Sequence, residues 1–421
     1  MRRFTRVSLV IGAVTLVVGL TACGSSGGGD TSTKASTSTT SSVSSDKSPI
    51  TIGATLGLTG GLSYYDVAFL DGAKLAAEEI NAKGGVGGRK IEISSNDNAT
   101  DLALLVPKAQ EMIAKHPTLL MTSNSDTTGI PAARAAQAAG QLAMSSVGPT
   151  TFGSQVGNLV FNVSYGDPTV AAVMSEFAQK KGWKKVVLVA DQGLGYTKDV
   201  CDLFKKSFTK VNPSGIVAET TYNFTTDTTF PAQVSAIRGA SSAQAVILCG
   251  IVAGVPTLIK QLRAAGVNLP IFGVDALDGV DWTKPIPNMG EFYAVSIGAD
   301  NPSGGSLYLD NPNPTQLAFL KAFTKTYGQA ELIQSAVGGY EVVQVLAAAV
   351  EKSGGKTDSK TLAATLDTFK AVPSLMGQTT YSPTCHVAIG RPLAITQVTN
   401  HVGRYLETIT PKAESIPPAP C

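Results

Sequence analysis

Short apolar runs that open on β-branched residues alternate along this chain with stretches whose apolar positions return every three to four residues. The first such pair sets the pattern. Residues 50–58, ITIGATLGL, predict a buried strand, and Thr59, Gly60 and Gly61 break it where backbone can approach something else. From about Tyr65 the apolar positions Val67, Leu70, Ala73, Leu75, Ala76 and Ile80 follow helical spacing, and the helix closes on Asn81, Lys83 and two glycines. A strand, a glycine turn and a helix form the first unit of an open α/β sheet, whose ligands sit beyond the carboxyl ends of its strands. Tyr64 and Tyr65 stand at that edge.

The alternation continues with strands over 90–96, 118–123 and 141–146 and helices over 101–115 and 130–139. This predicts a mostly parallel sheet with helices on both faces. Residues 161–165, ahead of Gly166, Asp167 and Pro168, read as a passage into a new lobe. There the pattern restarts, with helices over 168–181, 196–210, 230–238 and 255–265 and strands over 185–191, 216–222, 245–249 and 270–274. Two successive runs of one architecture predict two similar doubly wound, Rossmann-like lobes rather than a short-period repeat. A strand over 292–297 leads back, and helices over 315–327, 335–352 and 359–369 come in a row. Helices without strands of their own fit additions to the first lobe. Segments 379–382, 393–399 and 404–410 read as β, and the proline-rich end as loose.

The amino terminus follows a different logic. Arg2, Arg3 and Arg6 precede an apolar core over 7–20, too short for a permanent membrane span. Leu20-Thr21-Ala22-Cys23-Gly24 matches a lipobox, in which Cys23 is acylated and becomes the first residue; the alternative is an ordinary signal peptide with a chance cysteine. Two or more acyl chains anchor stably, at about 0.8 kcal/mol per buried CH₂. Residues 24–48 are glycine, serine and threonine almost throughout and predict a flexible tether. No later stretch is expected to cross a bilayer.

Composition narrows the function classes. A chain of 421 residues suffices for two domains with full cores. A net charge of +2, scattered and densest only at Lys184-Lys185 and Lys205-Lys206, argues against a nucleic-acid partner. No catalytic constellation assembles: G-x-S-x-G, G-x-x-x-x-G-K-[ST] and H-E-x-x-H are all absent. His116, His386 and His401 read as turn or surface residues. Gly193-Leu194-Gly195-Tyr196-Thr197-Lys198 opens a helix as a dinucleotide loop does, but Lys198 replaces the third glycine. Neither a cofactor nor a metal is expected. Besides Cys23, four cysteines allow three pairings. Placement near the cleft ends of adjacent units favours Cys201 with Cys249, leaving Cys385 with Cys421 to pin the tail.

The pattern G-x-x-L-x-L-T-G over 53–60, followed by D-G-A-x-L-A-x-E-x-I-N-A-x-G-G-V-x-G over 71–88, closely resembles the leucine/isoleucine/valine-binding proteins. These are extracytoplasmic solute-binding components of ABC importers, in a superfamily that also holds amide, urea and aromatic-acid binders and receptor ligand domains. The resemblance extends more loosely over 49–410. It implies a type I periplasmic-binding-protein fold with a hinge of three crossings. The implied division is 1–23 signal and lipobox, 24–48 tether, 49–164 first lobe, 165–296 second lobe, 297–378 first-lobe return, 379–410 second-lobe return strands and 411–421 tail.

It also implies site residues. Alignment on Pro131 places Asp126 where relatives with amino-acid ligands hold the ligand carboxylate by a small hydroxyl residue, with Ser125 and Thr127 beside it. The alternative for Asp126 is a helix cap; if it faces the cleft, a free ligand carboxylate is disfavoured. Gly148 and Thr150 match the loop that contacts ligand amine and carboxylate, and Tyr65 matches an aromatic of the first-lobe wall. Asp275 matches the acid that accepts the ligand ammonium, with a turn or hinge bond as its alternative. Gly195-Tyr196 and Ile251 stand in stretches where relatives place tyrosines, which implies an altered, more apolar pocket. The implied protein is a lipid-anchored monomer on the outer side of the membrane that delivers an amino acid or amide to a permease. A sensor of the same fold and a secreted hydrolase are the alternatives.

Overall fold

The structure, a computed structural model, describes residues 47–149, 151–277, 281–297, 313–328 and 333–418. Cys23, most of the tether, Thr150 and Cys421 lie outside them.

Two sheets carry the fold. The first contains β1 (Ile50–Leu56), β2 (Ile91–Asp97), β3 (Leu119–Thr122), β4 (Ala143–Ser145) and β5 (Val160–Asn162) in the order β2-β1-β3-β4-β5, with every pair parallel. The second contains β6 (Val186–Asp191), β7 (Ile216–Tyr222), β8 (Ala245–Cys249), β9 (Ile271–Gly273) and β10 (Phe292–Ser296), parallel in the order β7-β6-β8-β9-β10. The two orders are the same when each sheet is counted from its own first strand. Each therefore reverses direction once, between β1 and β3 and between β6 and β8, and such a switch point opens a crevice at the strands' carboxyl ends. Strands β6, β8, β9 and β10 are buried along their whole length, as parallel strands covered on both faces must be.

Helices α1 (Ser63–Ala82), α2 (Leu105–Ile113) and α3 (Asp126–Ala138) link the first sheet's strands. Helices α4 (Asp167–Lys180), α5 (Gly195–Val211), α6 (Pro231–Gly239) and α7 (Val255–Ala264) belong with the second. Then α8 (Pro314–Tyr327), α9 (Ile333–Lys352) and α10 (Ser359–Leu366) return to the first lobe, where α9 packs along α1. That crossing is tight enough to demand glycine. A Cβ on Gly72 would stand 1.8 Å from the Ala336 carbonyl oxygen, and one on Gly339 1.8 Å from that of Phe69. Backbone cannot yield there without parting the helices, so α1 and α9 hold the first lobe's cleft edge rigidly. Contrary to expectation, α9 is long and apolar enough to cross a membrane, but 78% of its apolar window is buried. It is a core helix.

The chain passes between the sheets three times: after β5, between β10 and α8, and ahead of β13 (Leu393–Thr399), which pairs antiparallel with β10 and with β14 (Val402–Ile409). Buried polar groups tie the crossings together. Asn162 locks the loop after β4, donating from Nδ2 to the Val147 carbonyl at 2.7 Å and accepting from the Val147 N–H at 3.1 Å. Tyr381 donates to the Asn162 carbonyl. Arg391 forms a buried ion pair with Glu341 of α9 at 2.6 Å and donates to Thr379. Such a pair adds little net stability against its desolvation cost, but loss of either partner strands a buried charge.

Three sequence expectations change. Helix α3 starts at Asp126, not 130, so Pro131 lies inside it; the poor helix formers Asp126, Thr127, Thr128 and Gly129 hide the start. Segment 379–382 is not a second-lobe strand: Gly377–Thr379 (β12) closes a hairpin with Val372–Ser374 (β11), and Val387 still bridges Asn162 of the first sheet. His386 is buried, stacked on Phe161 with ring centroids 3.9 Å apart and its Nδ1 3.0 Å from the Val160 carbonyl oxygen. His116 and His401 do occupy turns, both at positive φ. Ahead of the proline-rich end, Ser207 and Lys210 of α5 donate to the Ser415 and Glu414 carbonyls; the last residues of that end, 419–421, lie outside the described residues.

Candidate functional site

A cavity of about 370 Å³ lies between the carboxyl ends of the two sheets. Every strand of both parallel runs except β2 sends its following loop or helix start to its wall. The first lobe contributes Leu62, Tyr64 and Tyr65 after β1, Asn124 to Asp126 after β3, Ser146 to Pro149 after β4, and Ser164 and Tyr165 at the crossing. Gln334 and Ser335 of α9 complete that side. The second lobe contributes Leu194 and Tyr196 after β6, Phe224 after β7, Ile251 and Ala253 after β8, and Asp275 and Ala276 after β9.

Buried acids set these loops. Asp66, on α1, accepts the Gly57 N–H at 2.7 Å and the Asn124 N–H at 3.0 Å, fastening the ends of β1 and β3 to each other. Burial pushes its carboxyl above the usual range, and the two N–H donors pull against that rise. In the second lobe Asp191 accepts the Gly193 and Phe224 N–H groups and so aims Leu194 and Phe224. A disulfide joins Cys201 of α5 to Cys249 at the end of β8, with Cα atoms 5.8 Å apart. Closing a loop of 48 residues stabilises by about 4 kcal/mol on the chain-entropy account. It holds Tyr196 and Ile251 in fixed relation. Cys385 is disulfide-bonded as well.

Asp275 is the centre of the wall. It opens a single 3₁₀ turn after β9, is 8% exposed, and accepts hydroxyls from Tyr165 and Tyr196. Tyr165 belongs to the crossing and Tyr196 to α5, so this carboxylate ties the second lobe to the hinge. Burial, then the Asp275 charge, raises the Tyr196 hydroxyl far above its ordinary value; Tyr65 is raised by burial first, with Asp275 among the other causes. Both remain protonated donors at physiological pH. Across the cleft, a Cβ on Gly148 would meet the Tyr196 ring at 3.0 Å and Asp167 Oδ1 at 3.2 Å. The lobes touch at this point because residue 148 has no side chain.

Seven of the residues singled out in the sequence line the cavity together: Tyr65, Ser125, Asp126, Gly148, Tyr196, Ile251 and Asp275. Thr127 does not; it is exposed, because successive helical residues turn by roughly 100° and Asp126 takes the cleft-facing direction. Gly195 is also exposed and outside the lining, which its neighbours Leu194 and Tyr196 supply. Thr150 falls outside the described residues. Tyr165 escaped sequence reading, as did Asp66 and Asp167. The Asp167-Pro168 pair at a helix start was visible, but a capping acid and a buried one look alike in sequence.

A family profile described as periplasmic binding protein matches residues 49–402. The Leu/Ile/Val-binding protein homolog 3 of Brucella melitensis is 27% identical over 344 residues, covering 80% of this chain and 88% of that one. Among solved structures, the branched-chain amino acid transporter substrate-binding protein LivJ of Streptococcus pneumoniae, in complex with isoleucine, superimposes with a TM-score of 0.67 at 23% identity. It covers 85% of this chain and 99% of its own. The leucine-binding protein LivK of Thermotoga maritima gives 0.69 at 20% identity, over 86% of this chain and 99% of its own. These likenesses show the fold, that of type I periplasmic binding proteins. With a profile spanning most of its length, both lobes included, the chain belongs to the periplasmic binding protein family.

Proposed function

We propose that this protein is the extracytoplasmic solute-binding component of an ABC importer. It holds one small amino acid or amide-like solute in the interlobe cavity and presents it to a membrane permease. The observation that carries the reading is the cavity itself, walled by the strand ends of both lobes and reaching Asp275 and its two tyrosines on one side and the α3 start on the other. A solute that bridges such walls favours the closed form by as much as its contacts exist only there. The family is one of transport binding proteins rather than enzymes, and its members work outside the cytoplasm. The lipobox at Cys23 supports a lipid anchor; replacing Cys23 by alanine releases the protein from membranes if that reading holds, and retention contradicts it.

The test has two arms. A thermal-shift screen over amino acids, amides, urea, polyamines and aromatic acids identifies solutes by their mass-action stabilisation of the fold. Deletion of the gene then abolishes uptake of the solute so found. Intact uptake with loss of a transcriptional response instead assigns the protein to sensing.

A further inference from the structure

The α3 start carries more information than a capping residue. Unpaired N–H groups there attract a ligand carboxylate in principle. In this chain the place is taken from within: Asp126 lines the cavity, and its Oδ1 accepts the Thr127 N–H at 2.8 Å and the Thr127 hydroxyl at 3.3 Å. Across the cavity stands the Asp275 carboxylate. Directly behind Gly148, Asp167 is 2% exposed, with an Oδ1 that has no hydrogen-bond partner. Among the described lining residues there is no lysine, arginine or histidine. The remaining wall includes Tyr64, Tyr65, Tyr165 and Tyr196, whose faces accept a cation and whose bodies accept an apolar chain.

We propose that the solute is an amine or amide without a free carboxylate. A zwitterionic amino acid brings its carboxylate to the end of the cavity where Asp126 already sits, and like charges in a partly desolvated cleft repel. A protonated amine presents only donors to Asp275 and Asp126, and an amide that blocks the acid offers them N–H donors and carries no negative charge. The aliphatic or aromatic body of the solute lies against Leu194, Phe224 and Ile251. This narrows the solute of the transport reading and rests on it.

Calorimetry on the purified soluble chain with matched probes tests it. One set is leucine, leucinamide, 3-methylbutylamine and 4-methylpentanoate; the other is phenylalanine, phenylalaninamide and 2-phenylethylamine. In at least one set the amide or amine binds tenfold or more tighter than the parent amino acid, and 4-methylpentanoate gives no binding heat. Asp126→Ser, which removes the charge and leaves the N-cap residue Ser125 in place, then narrows the amide-to-amino-acid ratio by tenfold or more, chiefly by strengthening the amino acid. A purely structural Asp126 leaves that ratio unmoved in the variant. Three results overturn the proposal: an amino acid that binds as well as its amide, a ratio unchanged in Asp126→Ser, or no binding by any of the amides and amines. An amino acid bound in preference, with uptake lost on deletion, removes the ligand class and leaves the transport reading standing. Uptake of every solute retained on deletion removes the transport reading itself.

Discussion

The two walls of the cleft come from sheets of the same strand order, yet they offer different chemistry. The first-lobe wall carries most of the short polar groups, Asn124, Ser125, Asp126, Ser146 and Ser335 with backbone at Gly148, beside Leu62, Tyr64 and Tyr65, and is braced by the glycine-permitted contact of α1 with α9. The second-lobe wall is apolar, with Leu194, Phe224, Ile251, Ala253 and Ala276 around one buried acid, Asp275. One wall therefore reads the polar outline of a solute, and the other carries an apolar surface and a single charge. Neither wall is complete alone. Specificity in such a design lies in what the solute must satisfy at both walls together.

The largest effect expected from breaking this division is at Asp275. Asp275→Asn removes the second wall's charge while keeping its shape, and a charge-assisted hydrogen bond contributes about 1.5–3 kcal/mol. Affinity for an amine-bearing solute such as leucinamide falls by an order of magnitude or more in calorimetry. An unchanged affinity discards the charge role and leaves Asp275 as a hinge tie to Tyr165 and Tyr196.

A smaller effect is expected where the walls meet. In Gly148→Ala the added methyl presses on the Tyr196 ring at 3.0 Å and on Asp167 Oδ1 at 3.2 Å, so one of them has to move. Affinity falls several-fold, about 1 kcal/mol, in line with mild overpacking. Equal affinity in the variant shows that the lobes need not touch there.

The smallest effect is on stability, through Asp167. Burial, then the like charges of Asp275, Asp199 and Asp126, holds its carboxyl well above the usual range, and the Tyr196 ring lies close by. A raised folded value means that the penalty is absent at pH below the unfolded value and grows as pH rises through the folded one. Asp167→Asn therefore raises the melting temperature by a few degrees at pH 8 and leaves it unchanged near pH 3. A gain of the same size at both pH values contradicts the electrostatic origin.

How much of this was legible in the chain follows from the same contrast. Strand–helix alternation is a local, periodic signal, so the two doubly wound lobes could be read directly. The resemblance carried Asp275, Tyr196 and the loop at Gly148 to the cavity. What it missed depends on tertiary placement. Tyr165 sits in a crossing, where the run Phe161 to Tyr165 has no periodicity that separates a strand from a hinge. The start of α3 lies in residues of poor helix propensity, so both its boundary and the outward turn of Thr127 were invisible. The hairpin over 372–379 and the burial of His386 arise from packing against α9 and β5, contacts that a single sequence does not print.

The most direct test of the bridging account is small-angle scattering on wild type and Asp275→Asn, each with and without saturating leucinamide. The account predicts a smaller radius of gyration on adding the probe to wild type and a lesser contraction in the variant, whose closed form lacks the Asp275 charge contact. The same radius with and without a probe that calorimetry shows to be bound contradicts it.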